Sequence, residues 1–97
     1  METMIIKHPS EGTLGIITRR SDIIRDGDNT ACVEAIGLVQ GKMIEMIVAA
    51  DIAEKAAGVS VSEVKGSCPQ NMILIAIFGD TSSVEAAIEK IEAKMRG

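Results

Sequence analysis

Met72-Ile-Leu-Ile-Ala-Ile-Phe78 is an unbroken apolar run, closed by Gly79-Asp80. Alternation is absent, so neither face of this segment is meant for water. A short run rich in isoleucine and bounded by turn residues is expected to be the central strand of a sheet, covered on both faces. The rest of the chain is organised around it. Downstream, Asp80 or Ser82 is placed to cap a helix, with Ser82 and Glu85 at capping-box spacing. Val84, Ala87, Ile88, Ile91 and Met95 then form one apolar stripe, while Glu85, Glu89, Glu92 and Lys94 face outward.

Upstream, Lys65 to Asn71 (Lys-Gly-Ser-Cys-Pro-Gln-Asn) is a loop, and Val59-Ser-Val-Ser-Glu-Val64 half alternates as a strand with one wet face. Gly58 is suited to end a helix in a left-handed turn. That helix is expected over Gln40 to Ala57, whose Met, Ile, Val and Ala residues occupy most of the circumference. A helix apolar on nearly every side is buried on more than one side, and in a small domain one side belongs to another subunit. Cys32 to Val39 is expected to be a strand in which Cys32 packs and Gly37 allows a close approach. Arg19 to Thr30 is a polar connection with a turn at Asp26-Gly-Asp-Asn29. Thr13-Leu-Gly-Ile-Ile-Thr18 is expected to be the first strand, preceded by a polar arm over residues 1–12. The expected order is β-β-α-β-β-α, an α+β domain with helices on one face of a four-stranded, mainly antiparallel sheet.

Composition narrows the function. The chain has 97 residues, enough for one domain, and a formal charge of −4. A domain this small buries only about two-thirds of its unfolded surface. Yet 46% of its residues are hydrophobic, and mean hydropathy is +0.25. That surplus points to self-association. An acidic chain with one Phe and no Trp or Tyr offers neither a basic face nor stacking rings for nucleic acid. No apolar run approaches the ~18 residues of a membrane span, and no signal peptide is evident. Two cysteines cannot build a disulfide framework, which fits a cytoplasmic setting. An enzyme is disfavoured: the single His8 has no pattern linking it to a nucleophile. Gly37-Leu-Val-Gln-Gly41 is neither a dinucleotide nor a phosphate loop, and Asp26 and Asp28 lack a calcium loop's downstream Glu.

Cys68 stands apart. It lies mid-loop after Gly66-Ser67 and before Pro69-Gln70, where a buried packing cysteine is not expected. Cys-Pro occurs at iron–sulfur ligands, though the dipeptide alone is weak evidence. A cluster needs about four thiolates, which one chain cannot supply. A symmetric ring with this loop on its axis would deliver several.

From Ala35 to Arg96 the sequence resembles the shell-protein (BMC) domain of bacterial microcompartments. Ala35-Ile-Gly-Leu-Val39 is similar to that family's first strand. Ala49-Ala-Asp51 and Lys55-Ala-Ala57 are similar to its first helix. Ile75 to Phe78 with Gly79-Asp80 and Val84-Glu-Ala-Ala87 are similar to its third strand and second-helix entry. The usual form has a final strand after the second helix; here an extra strand precedes the first, as in circularly permuted members. The loop before Asn71 is longer than usual. The match is closest to permuted shell proteins of glycyl-radical propanediol-type compartments, which are associated with a pore iron–sulfur cluster.

The resemblance implies a cyclic homohexamer packed edge to edge with other shell hexamers, around glycyl-radical or redox enzymes. It implies a pore loop of Gly66, Ser67, Cys68, Pro69 and Gln70, and a cluster, 4Fe-4S by type, shared through Cys68. Lys55, oriented by Asp51, would meet its counterpart on a neighbouring hexamer. Two alternatives remain open: a tile whose pore passes metabolites without a cluster, and a small-molecule-binding regulatory α+β domain.

Overall fold

The computed structural model describes residues 1–21, 33–56, 58–66 and 72–96. The elements run β1 (Glu2–Lys7), α1 (Glu11–Arg20), β2 (Ala35–Lys42), α2 (Met43–Lys55), β3 (Val59–Val64), β4 (Met72–Gly79) and α3 (Thr81–Arg96). The strands form one antiparallel sheet in the order β1-β2-β4-β3. As expected, the Met72–Phe78 run is interior, flanked by β2 and β3; its Ile75–Phe78 half is buried on both faces, while Met72, Ile73 and Leu74 are half-buried. On one face Ile75 and Ile77 pack with Val39, Met46, Ala49, Val84, Ile88 and Ile91 beneath α2 and α3. On the other, Ala76 and Phe78 pack with Ile36 and with Ile17 of α1. The chain's one aromatic ring therefore lies under α1.

The N-terminal third departs from the sequence reading. Thr13 to Thr18 is not a strand but the middle of α1. Ser10 caps that helix, its Oγ accepting from the Thr13 N–H at 3.2 Å. Only Leu14 and Ile17, three residues apart, turn inward from it. The strand expected there is supplied by the supposed arm: Glu2 to Lys7 pair with Gln40 to Ala35 along the outer side of β2. With that edge occupied, Thr13 to Thr18 cannot pair with β2, and packing against the sheet face overrides its β-branched composition. The order is therefore β-α-β-α-β-β-α, and α1 lies on the face opposite α2 and α3.

Two boundaries also move. The second strand begins at Ala35 and continues to Lys42, because Gln40, Gly41 and Lys42 extend the ladder to Leu74, Ile73 and Met72. Consequently α2 starts at Met43, not Gln40, and ends at Lys55, short of Ala57. The Lys42 N–H donates to the Glu45 carboxylate at 3.1 Å, satisfying one of the orphan donors at the α2 start. The turn expected at Asp26 to Asn29 and the packing position expected for Cys32 lie outside the described residues.

At the other end of the sheet, Gly58 has φ +84°, and a Cβ there would sit 2.7 Å from the Ser83 Oγ. Only glycine takes that conformation without strain. α3 is capped by Asp80, not Ser82. The Asp80 carboxylate accepts from the Ser83 N–H at 3.1 Å, the Ser83 hydroxyl at 2.7 Å and the Ser82 hydroxyl at 2.8 Å. Those donors hold its pKa down at about 2. Strand β1 is tied to α3 by the Thr3 hydroxyl donating to Glu92 at 2.9 Å and by a Lys7–Glu85 ion pair at 3.4 Å.

Candidate functional site

The loop singled out by Cys68 leaves the sheet at the end of β3 and returns at Met72, opposite Lys42. Its root is held from an unexpected side. The Lys65 N–H donates to the Arg20 carbonyl at 2.7 Å, and the Arg20 Nη1 donates to the Lys65 carbonyl at 3.3 Å. Arg20 closes α1, where a cation suits the negative helix end. The last turn of α1 is thus stitched to the root of the loop. A Cβ at Gly66 would meet nothing closer than the Arg20 Nη1, at 3.6 Å. Ser67, Cys68, Pro69 and Gln70 lie outside the described residues. Among the described residues, no group of three or more His, Cys, Asp or Glu side chains is placed to hold a metal ion.

Beside the loop root is an open cleft of about 280 Å³, lined by Arg20, Gln40, Glu63, Lys65, Gly66 and Leu74 among others. The contribution of Arg20 was not legible in sequence. It stands 45 residues from Lys65, and no spacing rule connects a helix end to a loop root at that separation.

Asp51 and Lys55 do form the pair expected from their i,i+4 spacing, with Nζ 2.8 Å from Oδ2 on the outer side of α2. The hydrogen bond to Asp51, then its charge, raises the Lys55 pKa above the ordinary lysine value. Both side chains are mostly exposed, so the ammonium is presented to whatever meets this edge.

The apolar circumference of α2 is also real. Met46, Ala49 and Ala53 are buried in the core, whereas Ile44 is 74% and Ile47 64% exposed, with Met43 and Val48 beside them. Between this helix and β3 runs a groove of about 230 Å³, lined by Met46, Ile47, Ala50, Val61, Ile73 and Ile75 with acidic residues at its rim. Adjacent exposed aliphatics on one helix mark an interaction surface, not scattered surface residues. No described helix is long and apolar enough to cross a membrane.

Comparison with known proteins places this arrangement. The BMC domain family matches residues 35–97, from the start of β2 through α3. The GrpU microcompartment shell protein from Clostridiales bacterium 1_7_47FAA, solved ligand-free, is 48% identical. The alignment covers 100% of this chain and 94% of that one, with a TM-score of 0.78. The ligand-free GrpU microcompartment shell protein from Pectobacterium wasabiae is 32% identical, over 94% of this chain and 99% of that one, with a TM-score of 0.72. No curated protein matches significantly. With its antiparallel sheet carrying α2 and α3 on one face, and nearly two-thirds of its length matched, the chain belongs to the BMC domain family.

Proposed function

We propose that this protein is a structural tile of a bacterial microcompartment shell: a cyclic homohexamer whose loop 66–70 lines a central pore. The observation that carries the reading is the exposed aliphatic face of α2. Ile44, Ile47, Val48 and Met43 stand in water in a lone chain, and ring closure gives them a partner. The two GrpU shell proteins support the same assignment. The role is architectural and not enzymatic. Lys55, held by Asp51, is the contact to the next hexamer in the shell.

The topology supports a circularly permuted form of the domain. The family match begins at Ala35, yet the sheet is completed by β1, which precedes that point and pairs along β2. In the usual order a strand after the last helix would take this edge.

Cys68 is the proposed ligand of an iron–sulfur cluster on the ring axis. The donor set fits: one thiol per chain cannot bind a cluster, whereas a ring of six supplies more than the roughly four thiolates required. Six identical positions and four ligands are incompatible with strict symmetry, so some Cys68 side chains ligate while others stand aside. Gly66 gives the loop root the freedom for both. A bound cluster would supply one-electron transfer across the shell, and thiolate ligation would make its binding pH-dependent.

Anaerobic iron and acid-labile sulfide analysis of the wild type and of Cys68→Ser tests the cluster. Iron and sulfide in the wild type and their loss in the variant are expected. Equal iron in both would sink the assignment and leave a tile whose pore passes metabolites.

A further inference from the structure

The β3–β4 ladder stops at Val64 opposite Leu74. Continued in the same register, it would set Lys65 and Gly66 against Ile73 and Met72. Instead the two arms of the loop are held from different sides. The returning arm stays in the sheet, because Met72 and Ile73 pair with Lys42 and Gly41 of β2. The outgoing arm meets α1. In an extended segment the N–H and C=O of one residue point to the same side. For Lys65 both meet Arg20: the N–H donates to its carbonyl at 2.7 Å, and the carbonyl accepts from its Nη1 at 3.3 Å. The same nitrogen lies 3.6 Å from where a Gly66 Cβ would stand, so one guanidinium spans two consecutive residues of the root.

Arg20 is itself firmly placed. Ser10 caps the start of α1, and Leu14 and Ile17 fasten the helix to Ile36, Ala76 and Phe78. Arg20 follows Ile17 by three residues, and Ser21 after it is only 5% exposed. The sheet face thus sets α1, and the end of α1 sets the root. Two arginines close this helix, and the geometry separates them. Arg19 folds back on its own helix, its Nη1 lying 3.5 Å from where a Gly15 Cβ would stand. Both precede the matched domain, which starts at residue 35. The hold on the root is therefore supplied by a segment added to that domain.

We propose that Arg20 is a positioning residue for the pore loop: it fixes the direction in which the chain leaves β3, so that copies of Cys68 converge on the ring axis. The proposal rests on the reading of Cys68 as an axial ligand. Two residues, at most about 7 Å of chain, lead from Gly66 to Cys68, so an error at the root carries to the thiol. With Lys65 and Met72 both held, only residues 66–71 lie between the fixed ends, and a shorter span costs less entropy to order. Several chains share one cluster, so the benefit of each anchored root multiplies around the ring.

Two measurements on the full-length protein test it. The first needs no metal. Reduced, metal-free protein is alkylated with iodoacetamide at about pH 10, above the ordinary thiol pKa of about 8.5, so that charge does not set the rate. The rate at Cys68 is followed by peptide mass mapping. Arg20→Ala should raise it about fivefold, the ratio that one lost hydrogen bond corresponds to. Arg19→Ala removes the same charge from the same helix turn and should leave it unchanged. The second measurement challenges anaerobically reconstituted protein with a chelator. Arg20→Ala should lose half its iron at a chelator concentration at least about tenfold below the wild type, since several roots are weakened at once. Arg19→Ala should hold iron as the wild type does. Circular dichroism and sedimenting mass should match the wild type in both variants; a change in either for Arg20→Ala would make Arg20 a residue of the fold and overturn the inference. An unchanged Cys68 rate in Arg20→Ala, an equal effect from Arg19→Ala, or iron held as firmly by Arg20→Ala as by the wild type would overturn it too. A wild type that takes up no iron while the alkylation contrast stands would overturn the cluster reading alone and leave Arg20 as the residue that positions the loop.

Discussion

Asp80 shows how much local order one side chain can impose. Its carboxylate terminates the β4–α3 turn with three hydrogen bonds from Ser82 and Ser83. Because those donors favour the charged form, the folded pKa, about 2, lies below the ordinary 3.8. The stabilisation is thus complete above about pH 3.8 and is lost as pH falls through about 2. Thermal denaturation of the wild type and Asp80→Ala should show a lower Tm for the variant at neutral pH. The gap should close on acidification through that window. A gap that stayed constant down to pH about 2 would contradict the role given to the charged cap.

At the scale of the element, α2 must satisfy two environments. Its inner side, Met46, Ala49 and Ala53, is pressed on the sheet, one large side chain beside two small ones. Its outer side carries Ile44 and Ile47 into solvent, where they contribute nothing to the fold of one chain. Ile47→Glu should therefore leave the circular dichroism spectrum intact while reducing the sedimenting mass to the single chain. Burying one isoleucine side chain is worth about 2 kcal/mol, and each ring contact would lose that. An unchanged mass would place the ring interface elsewhere. The same helix carries Lys55 on its exposed surface. Lys55→Asp is expected to abolish flat hexagonal arrays in electron micrographs while single rings persist. Arrays that survive the change would rule out Lys55 as the edge contact.

For the whole molecule, the N-terminal third ties its two faces together. β1 completes the sheet and is clamped to α3 through Thr3–Glu92 and Lys7–Glu85, while α1 crosses the opposite face to reach the root of the Cys68 loop. A segment outside the family's matched region, residues 1–34, thereby touches both the core and the proposed pore. This arrangement explains why a chain of 97 residues can carry so much aliphatic surface. Among the described residues, α2 and α3 cover one sheet face and α1 packs on part of the other, while Ile44 and Ile47 of α2 stay exposed. The remainder is available to other copies.

Legibility followed the range of the interactions. Met72 to Phe78 was readable as an interior strand because an unbroken apolar run has no wet face in any register. The α3 stripe and the Asp51–Lys55 pair were readable because both depend on the helix period alone. The resemblance of residues 35–96 to a shell domain lay in the same local patterns. Thr13 to Thr18 was misread because short runs of Leu and Ile suit a strand or a helix, and the choice fell to a contact made elsewhere. Glu2 to Lys7 take the free edge of β2, so Thr13 to Thr18 cannot pair there. The hydrogen bond that Arg20 lends to a loop root 45 residues away likewise exists only after folding. Local order is written in neighbouring side chains, whereas competition for one sheet edge is settled by the whole chain at once.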